Sequence, residues 1–99
     1  MYKRQIIDLR TVRPMDHKTI INSVKKTNRL VILEEAWPFG NVSTEITYQV
    51  QSQAFDYLDA PIEKINTADT PAPYSPVLLQ EWLPSSIDVV NAVKKVLYK

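Results

Sequence analysis

The sequence predicts an α/β layer fold built on a mostly parallel sheet, and three observations lead there. Strand-like and helix-like patterns alternate along the chain, which is the signature of parallel strands joined by crossover helices. The stretch Leu-Val-Ile-Leu (residues 30–33) is apolar on both faces, as a central strand with helices on either side must be. The chain has 99 residues, enough for one domain at most.

Taken in order, QIIDLRTV (residues 5–12) reads as the first strand, apolar and β-branched, and cut off by Pro14. Asp16 is an N-cap for a helix over residues 17–27. Ile20, Ile21 and Val24 form its apolar stripe, and Lys25 and Lys26 suit its C-terminal end. NRLVILEE (28–35) is the second strand and WPFGN (37–41) the loop that follows. Asn41 caps a second helix to about Phe55, in which Val42, Ile46, Val50 and Ala54 recur at steps of four along one face. Turn signals at DAP (59–61) lead into a third strand, IEKINT (62–67), whose alternation suits a place near the sheet edge. ADTPAPYSP (68–76) is a loop with three prolines, and VLLQEWL (77–83) a short helix before Pro84. Ser86 caps the last helix. Ile87, Val90, Val93 and Leu97 are expected to face inward, and Lys94, Lys95 and Lys99 lie favourably at its C-terminal end. The expected architecture is thus three-layer α/β/α with about three strands and three main helices. That is thin for a parallel sheet, so a preceding βα unit is expected to be missing.

Composition narrows the function. The net charge of +1 provides no strong field for nucleic acid or a membrane surface. With no cysteine, disulfides, thiolate metal sites and a cysteine nucleophile are excluded. No apolar run approaches the ~20 residues of a membrane helix, and the apolar run near the N-terminus is too short for a signal peptide. The single glycine, Gly40, excludes a phosphate-cradling glycine loop.

Glu34 and Glu35 are the first candidates for chemistry, because α/β folds bind ligands in the crevice beyond their strand C-termini. Adjacent strand residues point to opposite faces, so the pair cannot converge on one substrate. The favoured reading is structural: hydrogen bonding to the following loop, or contact with another subunit. His17, the only histidine, sits in a first helical turn between Asp16 and Lys18, where exposure is expected, and a lone histidine has no metal-binding spacing. The serines lack a nucleophile-elbow context. For any one of Trp37, Phe39, Tyr74, Trp82 and Tyr98 core packing is slightly favoured, while for the set an interface is plausible because so short a chain has little core to hold them. By physics alone the reading ends at an α/β domain without a self-contained active site.

The segments IDLRTVRPMD (7–16), SVKKTNRLVILEEAWP (23–38), AFDYLDAP (54–61), ADTPAPY (68–74) and AVKKVLY (92–98) together resemble the C-terminal domain of pyruvate dehydrogenase E1 β subunits, in the transketolase family. AWPFGNVSTEI departs from it in being poorer in glycine. The resemblance implies a transketolase C-terminal domain-like fold that binds no cofactor itself. In the whole α2β2 enzyme, thiamine diphosphate and magnesium serve 2-oxo acid decarboxylation and reductive acylation of lipoyl-E2. The implied partners are the E1 α subunit, a second E1 β subunit and the subunit-binding domain of the E2 acyltransferase. It also implies a bacterial cytoplasmic or mitochondrial matrix location, without secretion. Carried over by motif, Asp59 of LDAP and the C-terminal carboxylate of Lys99 are the candidates to pair with basic residues of E2, with Trp37 and Tyr74 as further interface candidates. The isolated chain is expected to be inactive and oligomeric. Competing readings are the equivalent domain of a branched-chain 2-oxo acid dehydrogenase, transketolase or deoxyxylulose-phosphate synthase, and an independent small enzyme using Glu34 or Glu35. The family domain has an earlier strand between the first two strands expected here. Its absence predicts a fragment, a strand-exchanged oligomer, or a rearranged sheet in which QIIDLR pairs directly with LVILEE.

Overall fold

Helix α1 (His17–Thr27) opens the core in the computed structural model, which describes residues 5–11, 13 and 15–98. Asp16 caps it as expected: its carboxylate accepts from the Thr19 backbone N–H at 3.2 Å and from the Thr19 hydroxyl at 2.6 Å. At the other end Asn28 takes a left-handed conformation, φ 66°, and its N–H closes the last turn on Val24 O. Asparagine tolerates that geometry better than most residues. Strand β1 (Val31–Leu33) follows, then α2 (Val42–Ala54) with a single 3₁₀ turn (Phe55–Tyr57), β2 (Glu63–Ile65), α3 (Pro76–Trp82) and α4 (Ser86–Val96).

β1 and β2 pair in parallel, Ile32 opposite Lys64. Backbone bonds continue the pairing at both ends, from Asp59 N–H to Asn28 O (2.8 Å) and from Thr67 N–H to Ala36 O (3.0 Å). The sheet has a helical layer on each face. On one, Ile32 is buried with Ile20, Ile21 and Val24 of α1 and Ile46, Val50 and Ala54 of α2. On the other, Ile65 is buried beneath α4, whose Lys95 ammonium lies 3.4 Å from the Glu63 carboxylate. Arg29 ties the end of α4 down by donating from Nε to Val96 O at 2.7 Å.

Three sequence-based expectations are corrected. Residues 5–11 form no strand: Arg10 adopts φ 65°, which interrupts an extended run, and the segment joins no ladder. Ile7 and Leu9 pack against the core all the same. The sheet therefore has two strands rather than three, and direct pairing of QIIDLR with LVILEE does not occur. Helix α4 is capped by Ser85 rather than Ser86, in a capping box with Asp88. Its inward face is Val89, Ala92, Val93 and Val96, while Ile87 and Val90 are exposed. Ala92 lets the helix approach closely, and the ties to Glu63 and from Arg29 to Val96 O fix its rotation. Val93 and Leu97 are half-buried, as a partly inward position requires.

The carboxyl of Asp16 lies below its ordinary value of 3.8, chiefly through the Thr19 hydroxyl bond and then the Thr19 N–H bond, opposed by desolvation and aided last by the positive charge of His17 and Lys18. A depressed folded-state pKa gives stabilisation that is complete above the unfolded value and is lost as pH falls through the folded one. The first turn of α1 should therefore loosen on acidification, seen as acid-dependent movement of the Thr19 amide resonance. Asp16→Asn, which caps without titrating, should abolish that dependence.

Candidate functional site

Glu34 and Glu35 follow directly on the end of β1. Glu34 turns toward α2. Its Oε2 accepts from the Ser43 N–H at 3.3 Å and its Oε1 from the Asn66 amide at 2.9 Å. Ser43 is fully buried, and its hydroxyl lies 3.5 Å from the same Asn66 amide. Glu34 thus satisfies a free N–H in the first turn of α2 and places negative charge at the positive end of the helix dipole. This is the task expected of Asn41. The Asn41 amide instead donates to Trp37 O (2.8 Å) and Phe39 O (3.2 Å), holding the loop. Glu35 is exposed. No carboxylate pair forms.

Beyond Glu34 the loop is fastened from two sides. The indole N–H groups of Trp37 and Trp82 both donate to the Thr70 carbonyl, at 2.7 and 2.8 Å. The Lys64 ammonium reaches Pro38 O at 2.7 Å and the Thr44 hydroxyl at 3.3 Å. Gly40, with φ 66°, makes the turn into α2. Trp37 remains partly exposed, and Tyr74 is fully exposed.

Asp59 lies at the opposite end of the sheet, ahead of β2. Its N–H is engaged by Asn28 O, and its carbonyl accepts from the Tyr98 hydroxyl at 2.9 Å. Its carboxylate is half-exposed, with the Arg29 guanidinium 3.9 Å away, a spacing too long for a hydrogen bond. The carboxylate therefore retains accepting capacity toward solvent. Lys99 lies outside the described residues, but Tyr98 places the preceding residue against Asp59. Trp37 does not join this corner. The backbone bonds from Asn28–Asp59 to Ala36–Thr67 span eight residues, about 26 Å of strand.

Arg29, Tyr98, Asn66 and Trp82 take part in these arrangements and were not singled out for them by sequence reasoning. The position of Asn66 just after β2, level with Glu34, was the one available signal. His17 is half-buried rather than exposed, with Nε2 enclosed and unpartnered among the described residues. Among those residues no three His, Asp or Glu side chains gather closely enough to hold a metal ion, and no helix is long and apolar enough to cross a membrane. The groove between β2 and α4 is open and shallow, about 360 Å³, lined by Glu63, Asn66, Asp88, Asn91 and Lys95 among others.

Helical layers on both faces of a small parallel sheet define an α/β domain. The chain belongs to the transketolase C-terminal domain family, whose model matches residues 2–89. It is similar to the pyruvate dehydrogenase E1 component subunit beta of Rickettsia conorii, 55% identical over 94 residues, covering 95% of this chain and 29% of that protein. The Rhizobium meliloti subunit is 57% identical over 95 residues, covering 96% of this chain and 21% of the relative. The mitochondrial subunit of Dictyostelium discoideum is 48% identical over 92 residues, 93% of this chain and 26% of its own length. The chain spans less than a third of the length of these curated relatives.

Removing the Glu34 carboxylate strands the Ser43 N–H and leaves the Asn66 amide only its long contact with the Ser43 hydroxyl. Glu34→Ala should cost about 1–3 kcal/mol, measured by urea denaturation. Glu34→Gln, which can accept only one of the two bonds, should fall between it and the parent. Glu35→Ala should stay within about 0.5 kcal/mol.

Proposed function

We propose that this chain serves as a non-catalytic assembly and docking domain of a thiamine-diphosphate-dependent pyruvate dehydrogenase E1. In this reading the whole α2β2 enzyme decarboxylates a 2-oxo acid and reductively acylates the lipoyl group of E2, in a bacterial cytoplasm or mitochondrial matrix. The observation that carries it is identity of about half along nearly the whole chain to proteins named pyruvate dehydrogenase E1 β subunits. The described residues do not fit a diphosphate and its magnesium: they gather no acidic cluster, and the single glycine forms no phosphate loop. No chemical step is assigned to this chain. The involvement of Glu34 in two internal bonds also weakens the alternative of a small enzyme acting through that carboxylate.

The proposed partners are the E1 α subunit, a second β subunit and the E2 subunit-binding domain. Asp59 is assigned the leading part in E2 docking, and the Lys99 carboxylate a second part. Its half-exposed carboxylate, beside a guanidinium but not bonded to it, can accept a basic side chain from a partner. Light scattering on size-exclusion chromatography, with the full chain and an E2 subunit-binding domain, tests the reading. Capture of the E2 domain is expected, weakened about tenfold or more by Asp59→Ala and weakened by salt. Failure of a folded chain to capture it, or capture indifferent to Asp59→Ala, would overturn the assignment.

A further inference from the structure

We propose that Tyr98 is a positioning residue for the Asp59 carboxylate, fixing the peptide from which that carboxylate projects toward a basic partner. The inference rests on the assignment of Asp59 to docking. It adds a residue that lies 39 positions away in sequence and acts through Asp59 rather than on the partner. Asp59 stands in the bend ahead of β2, outside the three paired residues of that strand. A residue so placed is oriented by whatever its own N–H and carbonyl find. The N–H goes to Asn28 O at 2.8 Å. The carbonyl accepts from the Tyr98 hydroxyl at 2.9 Å, and among the described residues it has no other donor.

Three features set Tyr98 apart from an ordinary surface tyrosine. Its side chain is 69% exposed, yet its hydroxyl is engaged within the molecule, so the bond rather than burial holds the ring. Its backbone takes φ 59°, a left-handed conformation that a bulky residue rarely adopts and keeps only where its surroundings impose it. The turn is closed by its N–H on Lys95 O at 3.1 Å. Arg29 in turn fixes the base on which Tyr98 stands, by donating to Val96 O. The consequence falls on the carboxylate. The Arg29 guanidinium at 3.9 Å does not bond it, so its direction is inherited from the backbone. With the peptide held from both sides, that direction is set before a partner arrives and less ordering is lost on contact.

Tyr98→Phe in the full chain tests this, because it removes the hydroxyl and keeps the exposed ring. The variant should fold with unchanged helical circular dichroism. Hydrogen exchange at the Asp59 N–H should quicken about threefold or more. The Thr67 N–H, bonded to Ala36 O at the far end of the sheet, should keep its rate. Capture of an E2 subunit-binding domain should weaken about threefold or more, and in an Asp59→Ala background Tyr98→Phe should weaken it no further. Unchanged exchange at Asp59 would overturn the proposal. So would faster exchange at both amides, which would mean a general loss of stability. A weakening that persists without Asp59 would also overturn it, since the phenol would then be touching the partner. A parent chain that captures no E2 domain would overturn the docking assignment and with it the docking role of Tyr98. Capture that is lost in Asp59→Ala and untouched by Tyr98→Phe would overturn the Tyr98 proposal alone.

Discussion

Two strands of three residues each form too few ladder bonds to hold a sheet, so this fold depends on what clamps the strands from outside. At their C-terminal ends the clamp is Glu34. Its carboxylate joins β1 to the first turn of α2 and to the residue following β2. Without that junction, α2 would leave the loop with an unsatisfied buried N–H, and Ile46, Val50 and Ala54 would lose their fixed placement over Ile32. Part of the bond strength is electrostatic, because a charged acceptor meets the positive end of a helix in a half-buried setting. A residue that reads as a candidate general acid is therefore engaged in closing the core.

The N-terminal ends of the strands carry the matching clamp. Arg29 reaches over the sheet to the last turn of α4, where a cation favours the negative end of the helix dipole. The Tyr98 hydroxyl returns to the Asp59 carbonyl. These bonds and the Glu63–Lys95 pair hold α4 where the apolar contact is small, since its most buried residues are only Ala92 and Val96. The two helical layers are thus held differently, α1 and α2 by apolar packing and α4 by a smaller apolar face together with polar ties to its C-terminal half.

The helices were legible in the sequence because their signals are local. Asp16 ahead of α1 and the step-of-four stripe of α2 each act within a few residues. Strand 5–12 was misread because its pattern was right and its context was not. A strand exists only with a partner ladder, and Ile7 and Leu9 find burial without one. The inner face of α4 was misread for a different reason: Ile87 and Val90 outweigh Ala92 in hydrophobicity, whereas the close approach to β2 selects the small residue. At the site, the partners of Glu34 lie 9 and 32 residues away in sequence and no local pattern points to them.

The two ends of the sheet now differ in a way that bears on function. Open α/β sheets bind small ligands beyond the C-terminal ends of their strands. Here that end is occupied by the chain itself: Glu34 is spent on α2 and Asn66, and two indoles share the Thr70 carbonyl above it. At the N-terminal end, Asp59 has its backbone fully engaged while its carboxylate still faces solvent. A rigid backbone carrying an unspent charge suits recognition of a basic partner, because little conformational entropy is lost when the contact forms. The Glu34 carboxylate is thus engaged at the end where the fold would ordinarily host a ligand, and the capacity for a charged contact remains at the other. That polarity supports the proposed reading of the domain as one that joins subunits.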